Sequence, residues 1–150
     1  MTMATGTHSV DVPVSQQKVW DFVSNMEKWA KLVPGYSGHE MMSDTRSTWT
    51  FQGNVSVIKK TVEVQIDILE WNEPEKVTFQ LTGLSDKFSG TGYFIAEPLD
   101  ATHTKMTGHL DVKAEGLASA VLNPVLKPIL PKATQVLTDR VANALKRLHA

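Results

Sequence analysis

Between residues 49 and 112 the chain alternates apolar and polar side chains in one run after another, then closes with a single amphipathic helix. The longest alternation reads Val62-Glu63-Val64-Gln65-Ile66-Asp67-Ile68. Successive strand residues point to opposite faces, so this segment is a strand with one buried side and one wet side. Val77, Phe79 and Leu81 repeat the pattern against Thr78, Gln80 and Thr82. Met106, Leu110 and Val112 repeat it against Thr107, His109 and Asp111, with Gly108 among the inward places. One-sided strands in series imply an antiparallel meander whose apolar face needs a cover. The C-terminal helix is the element long enough to supply it. A curved sheet closed by one helix leaves an interior volume, lined here with Trp, Phe, Met and Val.

Charge and residue usage remove several classes of function. A formal net charge of -1 over 150 residues, with no basic cluster beyond Lys59-Lys60, gives no drive toward a phosphate backbone and argues against nucleic acid. The chain has no cysteine, which excludes disulfides, thiolate metal sites and thiol nucleophiles. Residues 1–10 lack the apolar core of a signal peptide, and no segment approaches the ~20 apolar residues of a spanning helix. The expectation is a cytoplasmic protein of one domain, without stable membrane insertion; composition says nothing of its oligomeric state.

The order of elements follows from punctuation. A strand near 7–12 is stopped by Pro13, and Ser15 stands at a helix N-cap, with Val14 and Val19 at the spacing of a hydrophobic staple. Val19, Phe22, Val23 and Met26 make the stripe of that helix. Asn25 caps a second short helix carrying Trp29, Leu32 and Val33, which Pro34-Gly35 ends. Six strands follow, near 37–42, 47–53, 55–70, 76–82, 87–96 and 102–113; Gly53-Asn54 is either a turn between two of them or a bulge in one long strand. Pro124, Pro128 and Pro131 interrupt the apolar stretch 116–132, and each would remove a donor from a helix. The expectation there is a short helix or loop, a break, then a helix over 131–148 with the stripe Ala133, Val136, Leu137, Val141, Ala144, Leu145 and Leu148.

This serial order resembles the helix-grip fold of the START/Bet v 1-like (SRPBCC) superfamily. Val12-Pro13-Val14 with Val19-Trp20-Asp21-Phe22 looks like the first strand and helix of that group. Trp29 with Val33-Pro34-Gly35, the pair in Gly90-Thr91-Gly92, and residues 111–117 are similar to the branch that holds the CoxG-like proteins of carbon monoxide dehydrogenase and the polyketide cyclases. The resemblance implies an α+β fold: a curved seven-stranded antiparallel sheet wrapped around a long C-terminal helix, with two short helices after the first strand. It also implies a cavity of the kind used for lipids, sterols, polyketides, quinones or plant hormones. Some relatives continue into a tail that could hold a membrane, whereas this chain stops at Ala150, which speaks against an anchor. Members of the superfamily include cyclases, hydrolases and plain binders, so function must be argued from residues.

The residues carry little catalytic signal. His103 and His109 lie roughly 20 Å apart on one strand and share its wet face with Lys105, Asp111 and Lys113. His8 and His149 stand near the termini, where order is poor; His39 could face the cavity mouth. No two histidines have metal-ligand spacing, and no metal or cofactor is expected. No Ser or Thr sits in a nucleophile elbow, and Gly90-Thr91-Gly92 lacks the third glycine and helix start of a dinucleotide loop. Its glycines read as a strand bend, a close approach, or space beside Tyr93. Glu63 and Asp67 fall on a wet face, and Asp86 and Lys87 near a turn. Inward polar candidates are Tyr93, Thr104, Asn123, and Gln52 if a bulge turns it.

The predicted ligand-lining set is Trp29, Trp49, Phe51, Phe79, Tyr93, Met106, Leu110, Leu126, Leu130 and Leu137. The reading leans to a non-catalytic binder of a lipid, quinone or polyketide-like molecule. One alternative is a cyclase or aromatase in which Tyr93 or His39 assists proton transfer. The other, implied by the CoxG-like resemblance, is an accessory factor contacting a molybdenum hydroxylase or the membrane through residues 121–130. The stretch 117–130 serves either as a mobile gate or as a stiff linker, the region near Trp29 and Gly35 being the other way in.

Overall fold

Ladder pairing in the computed structural model follows the inward parity of the sequence. The structure describes residues 4–55, 58–84, 87–116 and 119–149, with side chains other than those of 53–60, 120–123 and 125. The strands are β1 (Ala4–Val12), β2 (Tyr36–Met41), β3 (Arg46–Val55), β4 (Ile58–Asn72), β5 (Lys76–Gly83), β6 (Phe88–Pro98) and β7 (Thr104–Ala114). They form one antiparallel sheet in the order β1-β7-β6-β5-β4-β3-β2. Ile66 pairs with Leu81 and Ile68 with Phe79, so the apolar sets of β4 and β5 share a face.

Between β1 and β2 come α1 (Gln16–Val23), α2 (Met26–Trp29) and a 3-10 turn, Ala30–Leu32. Ser15 caps α1 by accepting from the Lys18 amide, and Asn25 caps α2 by accepting from that of Glu27. The sheet wraps around α3 (Ser119–Leu148), and the α+β helix-grip fold implied by the resemblance is the fold of the chain.

Three expectations are corrected. The β3–β4 ladder runs without a shift from Arg46↔Asp67 to Val55↔Ile58, so Gly53-Asn54 is neither turn nor bulge. Gln52 stays exposed. The break before residue 131 is absent: α3 includes Pro124, Pro128 and Pro131. All three prolines are exposed, as are Pro124 and Lys127, whose carbonyls lose their partners to Pro128 and Pro131. Water can satisfy those carbonyls, which removes the part of the cost that comes from the missing donors. His8 is not at a frayed end; it lies in β1 and reaches Asp139 of α3, Nε2 to Oδ1 at 3.0 Å.

The position of α3 decides where space remains. A carbon added to Gly6 of β1 would collide with Thr134 Oγ1 and the Leu130 carbonyl, and one added to Gly108 of β7 would stand 2.9 Å from Thr138 Oγ1. The helix therefore presses directly on β1 and β7. Thr134 and Thr138 can sit in that contact because each donates its hydroxyl to its own helix, to the Leu130 and Thr134 carbonyls, both at 2.7 Å. Val12, Val19, Ala96, Met106 and Leu145 pack the core at this flank. The inner faces of β4, β5 and β6 are left for α1, α2 and the segment before β2 to wall in.

Candidate functional site

Those walls enclose a cavity of about 230 Å³. Ile66, Ile68 and Trp71 of β4, Val77 and Phe79 of β5, Phe94 of β6 and Leu110 of β7 form its sheet side. Val23, Met26, Trp29, Val33 and Pro34 form a second side, and Ala133, Thr134, Leu137, Thr138 and Val141 the helix side. Trp71, 37% exposed, is the most open of the lining aromatics.

Of the predicted lining set, Trp29, Phe79, Leu110 and Leu137 present side chains here. Tyr93 and His109 border the cavity as well, but register turns their side chains away. Phe94 pairs with Val77 and Gly108, which fixes it inward and its neighbour Tyr93 outward. On that outer face Tyr93 stacks on His109, ring centres 4.7 Å apart, and Lys76 Nζ lies 4.9 Å from the Tyr93 ring centre. His109 bonds to Thr7 and Asp111, and Asp111 accepts from Thr5. Burial pushes Asp111 up, the hydrogen bonds from Thr5 and His109 pull it down, and the net is lowered. Tyr93 thus contributes no hydroxyl to the interior, and Phe94 takes its place.

Trp49, Phe51, Met106, Leu126 and Leu130 do not line the cavity. Trp49 is buried beneath Trp29, rings stacked at 5.7 Å, with its indole N–H donating to Ser47 Oγ at 2.8 Å. Phe51 stacks on Trp49 at 6.1 Å. Met106 is wholly buried in the α3 flank. Leu126 and Leu130 close the other end of the sheet with Ala4, Val64, Leu81 and Val112. Parity told which face these residues take, not which are covered by a second layer.

The polar candidates are satisfied elsewhere. Thr104 is fully buried and donates to the Val14 carbonyl at 2.7 Å. His39 stacks on Trp49 at 4.8 Å, with its side chain 8% exposed. Its Nε2 donates to the Glu27 carboxylate at 3.0 Å, and its Nδ1 lies 2.6 Å from the Tyr36 hydroxyl. The relay points toward Glu27, behind Trp49. Asp86 and Leu117, and the side chains of Val121, Leu122, Asn123 and Val125, are not among those described.

Trp71 is the residue parity would have missed. The β4–β5 register shifts between Ile68 and Glu70, so Trp71, odd-numbered, rejoins the even-numbered inner set and pairs with Val77. Among the described residues no charged side chain faces the cavity, no group of three or more His, Asp or Glu could hold a metal ion, and no helix is long and apolar enough to cross a membrane.

A family model described as polyketide cyclase/dehydrase and lipid transport matches residues 3–150. The chain belongs to that family. Solved structures similar to this family member include a START superfamily protein from Mycobacterium smegmatis, with a TM-score of 0.78 at 15% identity over 98% of this chain and 99% of that one. The ZhuI aromatase/cyclase from Streptomyces sp. R1128 superposes with a TM-score of 0.77 at 15% identity, covering 99% and 97%. Norcoclaurine synthase from Thalictrum flavum gives 0.65 at 14% identity, covering 96% and 87%. At these identities the likeness is one of fold. No curated protein matches the chain in sequence.

Proposed function

We propose that this member of the family binds a neutral hydrophobic small molecule in the cavity and does not transform it. The observation that carries the reading is the chemistry of the walls. Trp29 has given its indole N–H to the Val23 carbonyl, Thr134 and Thr138 have given their hydroxyls to α3, and the other inward side chains are hydrocarbon, thioether or aromatic, with the indole N–H of the partly exposed Trp71 the remaining donor among them. A ligand carbonyl enclosed there without a partner costs about 1–3 kcal/mol, which weakens binding roughly 5- to 150-fold per group. This favours a hydrocarbon ring system or acyl segment over a quinone or a polyketide, and places any polar group of the ligand at the open side.

Size narrows the class. The volume of about 230 Å³ exceeds the ~150 Å³ that accepts benzene and falls short of the ~300 Å³ where drug-sized sites begin. A body of one or two fused rings, or a short acyl segment, suits it. A cyclase needs donors aimed at developing oxyanions, and Tyr93 and His39 are directed elsewhere.

The test is fluorescence titration with 1-aminonaphthalene, a two-ring fluorophore neutral at pH 7, against the native chain and Leu137→Trp. Saturable binding to the native chain, weakened at least tenfold in Leu137→Trp while the unfolding midpoint is kept, is the expected result. No binding, or equal binding by both, overturns the reading.

A further inference from the structure

One stretch of cavity wall is fastened differently from the rest. Leu32, Val33 and Pro34 run from the end of the 3-10 turn to Gly35, and Val33 and Pro34 face the interior. No residue from 31 to 35 is fully buried. Its backbone bonds are local, the Val33 amide to the Ala30 carbonyl and the Tyr36 amide to the Val33 carbonyl. Both ends are firm. Ala30 is 1% exposed, while Gly35, at a φ of +80°, accepts from the Gln52 amide of β3 at 2.8 Å.

Across the cavity, α3 reaches back to this stretch. Arg140 Nη1 donates to the Leu32 carbonyl at 3.0 Å, an exposed bond between parts of the chain 108 residues apart. The neighbouring residue, Asp139, holds the other side of α3 to His8 of β1. Leu137 and Val141, one turn apart on the same helix, line the cavity beside this clasp. Water can replace an exposed charge-to-carbonyl bond readily, whereas the β1–α3 contact is sealed by the glycine–threonine packing.

We propose that residues 32–34 form a strap over the way into the cavity, swinging between Ala30 and Gly35, and that Arg140 latches it. The ligand's path then lies between Pro34 and Leu137. The stretch 119–130 is helical with Leu130 buried against the sheet, whereas Leu32 and Val33 pack on the core only while partly exposed, so the way in is assigned to the strap. The role as a gate rests on the binding reading above; the latch itself does not.

Two measurements separate the claims. Without ligand, hydrogen exchange at the Val33 and Tyr36 amides should be roughly fivefold faster in Arg140→Ala than in the native chain and near native in Arg140→Lys, which restores a cationic donor. Unchanged exchange in Arg140→Ala overturns the latch whatever binds. For passage, the native chain has no cysteine, so Leu32→Cys/Arg140→Cys can be joined uniquely by a short bis-maleimide. Association of 1-aminonaphthalene, followed by stopped-flow fluorescence, should be at least tenfold slower in the joined protein than in the same variant unjoined. Equal rates overturn the gate and leave the binding reading standing. Failure of the native chain to bind overturns the binding reading and the gate with it, while the exchange result alone decides the latch.

Discussion

The ring of Phe79 on β5 lies against Gly92 on β6, so closely that a carbon added to Gly92 would stand 2.5 Å from Phe79 Cζ and 2.7 Å from Cε2. The missing side chain lets the ring sink onto the sheet, and the depth of the cavity depends on it. Gly92→Ala should lift the ring into the cavity and crowd the His109 carbonyl, costing about 1–3 kcal/mol of stability. Phe79→Leu in the same chain relieves part of that cost. Denaturant unfolding of the double-mutant cycle should give a coupling above about 0.5 kcal/mol; additive effects would mean that the ring does not rest on Gly92.

Acid should loosen the β3–β4 ladder. The Arg46 hydrogen bond, then that from Gln65, holds Asp67 below the usual carboxylate range. At the β6–β7 turn the Thr102 amide, then His103, lowers Asp100 to about 2. A carboxylate depressed in the fold binds fewer protons than it does unfolded. Its contribution is therefore complete above about pH 4 and disappears as pH falls through the folded value. Arg46→Ala should cost under about 1 kcal/mol at pH 6, since the pair is partly exposed. The difference from the native chain should shrink steadily below pH 4. A difference independent of pH would assign Arg46 a packing role instead.

His103 and His109 should separate in thermal unfolding. His103 sits at an exposed turn with Asp100, and His103→Ala should leave the midpoint unchanged. His109 stacks on Tyr93 and bonds two neighbours, so His109→Ala should cost about 1 kcal/mol. Neither change should alter affinity for the cavity probe, because both side chains lie outside it. Weaker binding in His109→Ala would mean that its ring turns inward.

Much of the fold was legible because alternation at Val64-Gln65-Ile66 or Val77-Thr78-Phe79 is a direct record of which side is buried, and Ser15 and Asn25 announce their helices. The site was legible where alternation is regular and no second layer intervenes, as at Phe79 and Leu110. It was lost at Trp71, because the register shift after Ile68 has no residue signature, and at Tyr93, because β6 offers an aromatic on each face. Trp49 has the right parity, but its cover by Trp29 depends on where α2 lands. The prolines of α3 misled for a related reason: their cost depends on whether the orphaned carbonyls meet water, which is a property of the finished fold.

Because α3 is seated through Gly6 and Gly108 on β1 and β7, the residues of β4, β5 and β6 that surround the guest are not those on which the helix rests. Val77, Phe79, Phe94 and Leu137 can change size without disturbing the Gly6–Thr134 and Gly108–Thr138 contacts. A lineage built this way can exchange one guest for another by small steps, each variant still a folded protein, so long as two glycines and two threonines stay where they are.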